Sequence, residues 1–210
     1  MLDRVTQSRR LKTFEPSATA ILVAAALLAV TDFGSELAGT SAVPGGPLDE
    51  CAHVLTTLLV FWALGRRAYR FQLPALVASV VIDVDHIPAM LGQRFLTEGT
   101  PRPYTHSLLT ICLLMIAAVA WRRRRDLLLG VAAGITVHFV RDLAEPGSGV
   151  ALLWPVSDHS FSMAHGLYLA LMAAVVLIAG VRSAIRTRSA AGAHRQADAE
   201  LAGSAPAGSP

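Results

Sequence analysis

Charge is scarce in this chain. Only 16% of its 210 residues are Asp, Glu, Lys or Arg, well below the roughly one quarter found in ordinary soluble domains. Cysteine is scarcer still: there are two, Cys51 and Cys112, and no CxxC pair. That excludes a disulfide framework and a zinc ribbon, and both cysteines are expected to be small buried residues. No internal repeat is evident. The arginine runs are short and follow the apolar segments, so nucleic acid is not expected as a partner. What the chain has instead is apolar side chains, at 53% of residues with a mean hydropathy of +0.51. A single integral membrane domain is the expectation.

Six apolar segments can be read, at about 17–31, 52–65, 72–90, 107–121, 127–141 and 163–181. A helix needs about 20 apolar residues to cross a bilayer, so the shorter runs need their flanks or protein neighbours to complete the crossing. Arginine orders them. Arg4, Arg9, Arg10 and Lys12 precede the first segment, and Arg66, Arg67 and Arg70 follow the second. Arg122 to Arg125 follow the fourth, and Arg182, Arg186, Arg188 and Arg195 follow the sixth. These are 15 of the 18 basic residues, all on alternate connections. The positive-inside rule places those connections and both termini in the cytoplasm. The expected fold is an all-α, polytopic membrane bundle of about six transmembrane helices. Residues 1–16 form a basic cytoplasmic segment, 17–182 the membrane domain and 183–210 a disordered cytoplasmic tail rich in Ala, Gly and Ser. The first segment resembles a signal peptide with a "TSA" at 40–42. Its long leader and the intervening "DFGSELAG" favour a retained span.

On this topology the ionisable residues fall to one side. His53 opens segment two, and Asp83, Asp85 and His86 lie near the outer end of segment three. His106 opens segment four, His138 and Asp142 end segment five, and His159 and His165 flank the start of segment six. A lone histidine in an apolar helix is usually a hydrogen-bonded packing residue, and a lone HxxxD pair is weak evidence. The joint occurrence is more specific. His138 and Asp142 are four residues apart and share a helical face, as do Asp83 and His86, three apart. Asp85 points elsewhere unless Pro88 loosens the helix end. Asp83 lies twelve residues beyond Phe71 and His138 eleven beyond Leu127. Both are thus roughly 17 Å from the cytoplasmic end, in a hydrocarbon core about 30 Å thick. Carboxylates at that depth are costly alone. Carboxylate and imidazole together suit zinc, iron or manganese, and more than four donors leave room for two ions.

The stretches "IDVDHIPAML", "RPYTHSLLT", "GITVHFVRDL" and "GVALLWPVS" resemble, in order, the motifs of the YdjM-like family. These are LexA-binding, inner-membrane-associated proteins assigned as metal-dependent hydrolases. The resemblance covers about residues 50 to 180. The family's DxDH matches Asp83, Asp85 and His86; its THS matches Thr105, His106 and Ser107; its HxxxD matches His138 and Asp142. His53 resembles the histidine opening the family's first core helix. Pro101 and Pro103 stand where the family's HRGxTHS has its first His and its Gly, which removes one potential ligand. Segment one is an addition before the family core.

The expected function is therefore a membrane-embedded metal-dependent hydrolase. A divalent transition metal, with zinc favoured and one or two ions, is expected on Asp83, Asp85, His86, His106, His138, Asp142 and His53. It would activate water against an ester or phosphoester of a lipid-like substrate. Asp83 is also a candidate general base, and Arg102 a candidate phosphate clamp. Ser107 is expected to orient backbone at a helix start. "LLWP" at 152–155 is read as an interfacial anchor or a re-entrant turn over the site. The partners expected are membrane lipid and such a substrate, in the inner membrane. An ion- or proton-coupled transporter and a noncatalytic metal-binding scaffold are the alternatives. Against a transporter stands the near absence of polar residues in the cytoplasmic halves of the segments.

Overall fold

A computed structural model describes residues 15–38, 45–145 and 149–203. Most of the basic leader, the "TSA" stretch and the closing "SAPAGSP" lie outside the described residues. Six long helices and one short one carry the described chain: α1 (Ala18–Ala38), α2 (Gly45–Leu64), α3 (Tyr69–Val81), the one-turn α4 (Ile87–Met90), α5 (Leu108–Ala120), α6 (Arg125–Asp142) and α7 (His165–Gly203). Helix α1, helix α2, the stretch Tyr69–Met90 and the first 29 residues of α7 are long and apolar enough to cross a membrane. Helix α5 is shorter, and α6 carries charges at both ends. The chain is a multi-pass helical membrane bundle.

The outward faces are apolar. Leu22, Leu73, Val119 and Leu177 are each about two-thirds exposed or more, as suits surfaces bathed in lipid. Cys51 and Cys112 are also exposed, contrary to expectation. Each lies on a helix face turned away from its neighbours, where a small polarizable side chain meets hydrocarbon at little cost. One core cluster joins α1, α2 and α7 through Ile21, Leu28, Leu59, Trp62 and Tyr168; another joins α3 and α6 through Ala78, Ile135 and Phe139.

Helices α3 and α6 approach most closely, and glycine permits it. A Cβ on Gly130 would lie 2.4 Å from Pro74 Cγ, and one on Gly134 would lie 2.2 Å from the Ala75 carbonyl oxygen. Two glycines four residues apart make a small-residue seam of the kind that lets membrane helices touch backbone to backbone. Continuing that four-residue step along α6 reaches His138 and then Asp142. The matching step along α3 runs from Ala75 to Ser79 and, just past the end of the helix, to Asp83. The seam therefore delivers two pairs of polar side chains to the same end of the bundle.

That end is opposite the arginine-rich connections. Glu15 Oε1 pairs with Arg66 Nε and its Oε2 with Arg186 Nε, both at 2.9 Å. Arg182 Nη1 donates to the Leu64 carbonyl, and Ser183 Oγ to that of Pro16. The start of α1, the end of α2 and the middle of α7 thus meet at one end, as alternation of charge predicts. The residues after 186, expected to be disordered, continue α7 to Gly203. Their alanines, arginines and single glutamate are good helix formers, and the apolar part of α7 supplies the nucleus from which they propagate.

Candidate metal centre

Pro88 shapes the first element of the site. Lacking an N–H, it leaves the Val84 carbonyl without its usual helical partner, and Ile87 donates to that carbonyl instead. Residues Ile82–His86 form a 3₁₀ turn, in which side chains three apart eclipse. Asp83 and His86 are brought together, with His86 Nδ1 3.3 Å from Asp83 Oδ1. Asp85 is drawn in as well, its Oδ1 3.1 Å from the same nitrogen. Its Oδ2 accepts from Thr105 Oγ1. The helix end is loosened as the proline requires, and Asp85 does not point away.

The loop before α5 delivers His106. Ser107 caps α5 in an extended conformation, and its Oγ donates to the Tyr104 carbonyl at 2.9 Å. It orders backbone beside His106, as expected. The "LLWP" stretch folds back over this loop: Leu108 N donates to the Leu152 carbonyl at 2.9 Å, and Trp154 stacks on Tyr104 at 4.3 Å. Of the two expectations for this stretch, packing over the site is the one realised.

Four atoms converge at the centre. His106 Nε2 is 3.2 Å from Asp83 Oδ1, 3.6 Å from Asp142 Oδ2 and 3.3 Å from His138 Nε2. His138 Nε2 is 3.5 Å from Asp83 Oδ1 and 3.1 Å from Asp142 Oδ2. Both imidazoles and Asp142 are buried. The outer ring nitrogens explain the orientation. His138 Nδ1 donates to the Ser79 carbonyl at 2.9 Å, so in the neutral ring Nε2 faces inward as a lone pair. His106 points Nδ1 at Asp85 Oδ2, 3.5 Å away, and likewise turns Nε2 inward. Both oxygens of Asp142, Asp85 Oδ1 and His86 Nδ1 are buried without a hydrogen bond of good geometry. A convergence of lone pairs and carboxylate oxygens of this kind is stabilised by positive charge at its middle.

His53 lies at the flank. Its ring stacks on that of His138, with centroids 3.8 Å apart. Its Nε2 is 3.4 Å from Asp142 Oδ1 and 3.6 Å from Asp49 Oδ2. It is also 3.2 Å from Arg141 Nη1, whose guanidinium can only donate. Arg141 in turn donates through Nη2 to Asp32 Oδ1 at 2.9 Å and through Nη1 to Asp49. Tyr168 OH donates to Asp32 Oδ2 at 3.4 Å and meets Thr56 Oγ1 at 3.1 Å. Helices α1, α2, α6 and α7 are tied together behind the centre by this network.

Arg102 does not reach outward from the loop as expected of a phosphate clamp. It is buried, with Nη1 3.2 Å from Asp142 Oδ2 and Nη2 on Glu145. Burial opposes its charge, but the carboxylates of Asp142 and Glu145 outweigh that and hold the guanidinium above its ordinary pKa. It neutralises the outer side of Asp142.

All seven residues expected to hold metal thus meet in one cluster. Groups able to hold an ion include Asp83, Asp85, His86 and His106; His53, His138 and Asp142; and Asp49, His53 and Asp83. His159 and His165 are exposed and pack on Phe161 and Tyr168 instead. Asp49, Glu50, Asp32 and Arg141 were not anticipated. Helix α2 starts at Gly45, seven residues before the expected boundary. Its "GGP" reads as a loop, yet proline costs a helix little in the first turn. The extension brings Asp49 one turn before His53, and sets the Glu50 carboxyl beside Asp83. The DxxxH spacing at 49–53, mirroring HxxxD at 138–142, was the available signal.

No curated protein and no solved structure matches the chain. The model of one family, described as YdjM inner membrane protein, matches residues 48–203. That span takes in α2 to α7 and all of the site except the Asp32 buttress. DVDH, THS and HxxxD all lie within it. This chain, a multi-pass protein of the inner membrane with clustered groups able to hold a metal, belongs to the YdjM inner membrane protein family.

Proposed function

We propose that the protein is a membrane-embedded metal-dependent hydrolase acting on an ester or phosphoester of a lipid-like substrate. A divalent transition metal, zinc by donor chemistry, would be held by His106, His138, Asp83 and Asp142, with Asp85 and His86 able to hold a second. The observation that carries this reading is the set of five separations, 3.1 to 3.6 Å, among the four inner atoms. Bonds of about 2.0–2.1 Å to tetrahedral zinc require ligand atoms about 3.3 Å apart. Such an ion would supply Lewis acidity, and would lower the pKa of a bound water if one of the four residues yields its place or a fifth position is taken.

The chain's own residues do the rest. The Ser79 carbonyl and Asp85 orient the two imidazoles, and Arg102 balances Asp142. Asp83 Oδ1 lies within 3.5 Å of three imidazoles, a position that suits a ligand more than a general base. Glu50, whose Oε2 is buried, is a further polar group beside Asp83.

One observation favours a second reading, a noncatalytic metal-binding scaffold: Arg102 is already engaged by two carboxylates and presents no open anion clamp. Metal content of detergent-purified protein by plasma mass spectrometry, beside a panel of lipid esters and phosphoesters, decides. One or two equivalents, lost in His138→Ala, with hydrolysis lost in parallel, is the expected result. Metal without hydrolysis leaves the scaffold, and neither leaves a hydrogen-bonded or proton-carrying network.

A further inference from the structure

An apolar groove of about 440 Å³ runs along the lipid-facing side of α3, α5 and α6. Its walls include Ala78, Val81, Val131 and Ile135, and its polar end is Asp85 with Thr105. This size lies within the usual range of small-molecule sites. Two features separate the groove from the general lipid-facing surface. The first is its polar end. Asp85 lines the groove and is also 3.5 Å, through Oδ2, from His106 Nδ1, so one wall of the groove is itself part of the metal-site cluster. The second is its length. Its lining runs from Ala78 to Asp85, seven residues or about 10 Å along the helix axis, a substantial part of one half of a hydrocarbon core about 30 Å thick. The groove therefore runs lengthwise along the bundle, from the apolar depth of α3 and α6 up to Asp85 at the level of the cluster.

We infer that this groove is a binding site for one acyl chain of a membrane lipid, entered sideways from the bilayer, with the lipid's ester end against Asp85 and Thr105. The occupant follows from the setting. Val81 and Val84 on the rim are more than half exposed and face hydrocarbon, and an apolar groove open to hydrocarbon, with a carboxylate and a hydroxyl at one end, matches an acyl chain joined to a polar ester. The assignment names the substrate class for the proposed hydrolase and rests on that reading for the role of the polar end. The binding of the chain itself does not.

The test uses full-length protein in vesicles of phosphatidylethanolamine and phosphatidylglycerol. These are doped with a phosphatidylethanolamine carrying a diazirine halfway along one acyl chain. After irradiation, labelling concentrated on the α6 peptide holding Val131 and Ile135 is expected. Thr110, which also lines the groove, becomes Thr110→Trp to fill it. Val119, on the same helix but three-quarters exposed outside the groove, becomes Val119→Trp as control. Labelling of the α6 peptide should be lost in Thr110→Trp and kept in Val119→Trp, with metal content unchanged in both. Labelling spread evenly over the lipid-facing helices, or unaffected by Thr110→Trp, overturns the inference. So does chain-to-chain crosslinking through the groove, which marks a second copy as its occupant. Wild type that labels as expected but holds no metal overturns the hydrolase reading and leaves the groove standing.

Discussion

At the scale of single residues the site is organised around Asp142. Its side chain is buried and lies within 3.6 Å of His53, His106, His138 and Arg102. Asp142→Asn keeps the shape and removes the charge. Arg102 is then left with Glu145, and the inner donor set loses an anionic oxygen. Breaking a buried ion pair from one side costs about 3–5 kcal/mol. We expect a lower melting temperature in detergent together with loss of bound metal by mass spectrometry. Unchanged metal content would remove Asp142 from the ligand set. Asp142 and His138 were legible from sequence because their four-residue spacing is local. Arg141, next in the chain, was not. Nothing in its neighbourhood shows that its partners are Asp32 on α1 and Asp49 on α2, roughly a hundred residues away in sequence. In the sequence it is only a basic residue out of place at a segment end.

At the scale of elements, the α3–α6 seam decides whether the site forms. Gly134→Ala places a methyl 2.2 Å from the Ala75 carbonyl oxygen, and backbone there has nowhere to move. Overpacking of this kind costs about 1–3 kcal/mol. It also separates His138 from the Ser79 carbonyl that orients it. Gly180→Ala on α7 is the matched control. Its methyl meets nothing within 4 Å, and replacing glycine within a helix gains about 0.5–1 kcal/mol. Thermal unfolding should therefore shift in opposite directions in the two variants, and only Gly134→Ala should shed metal. A Gly134→Ala variant as stable and as metal-loaded as wild type would mean that α3 and α6 are not so closely apposed. The existence and order of the helices were readable from apolar periodicity and charge. Their boundaries were less so. A proline in the first turn of α2 looks like a loop, and a proline after "DVD" looks like a simple helix end. In the folded chain the first extends α2 far enough to carry Asp49, and the second tightens a turn that aims Asp85. Both effects depend on backbone hydrogen bonds that a list of residue types does not specify.

At the scale of the whole molecule, polarity is segregated by end. The ion pairs of Glu15 with Arg66 and Arg186 mark one end, and the histidine–aspartate cluster marks the other. If the arginine-rich end is cytoplasmic, the site opens toward the outer leaflet, and the groove draws its lipid from there. Cysteine accessibility in intact cells tests this. Cys51 and Cys112 are exposed, so both are first replaced by serine. Gly99 is a poor reporter because its φ of +75° strains any other residue. Its exposed neighbour Glu98 serves as Glu98→Cys, with the exposed Arg123 as Arg123→Cys on the other side. A membrane-impermeant maleimide should label Glu98→Cys in intact cells and Arg123→Cys only after permeabilisation. The reverse pattern would place the cluster at the cytoplasmic face. The groove would then open to the inner leaflet, and its lipid and any water-soluble product would belong to the cytoplasmic side. The donor set and the groove would be unaltered by that inversion, because both are defined by α3, α5 and α6 relative to one another.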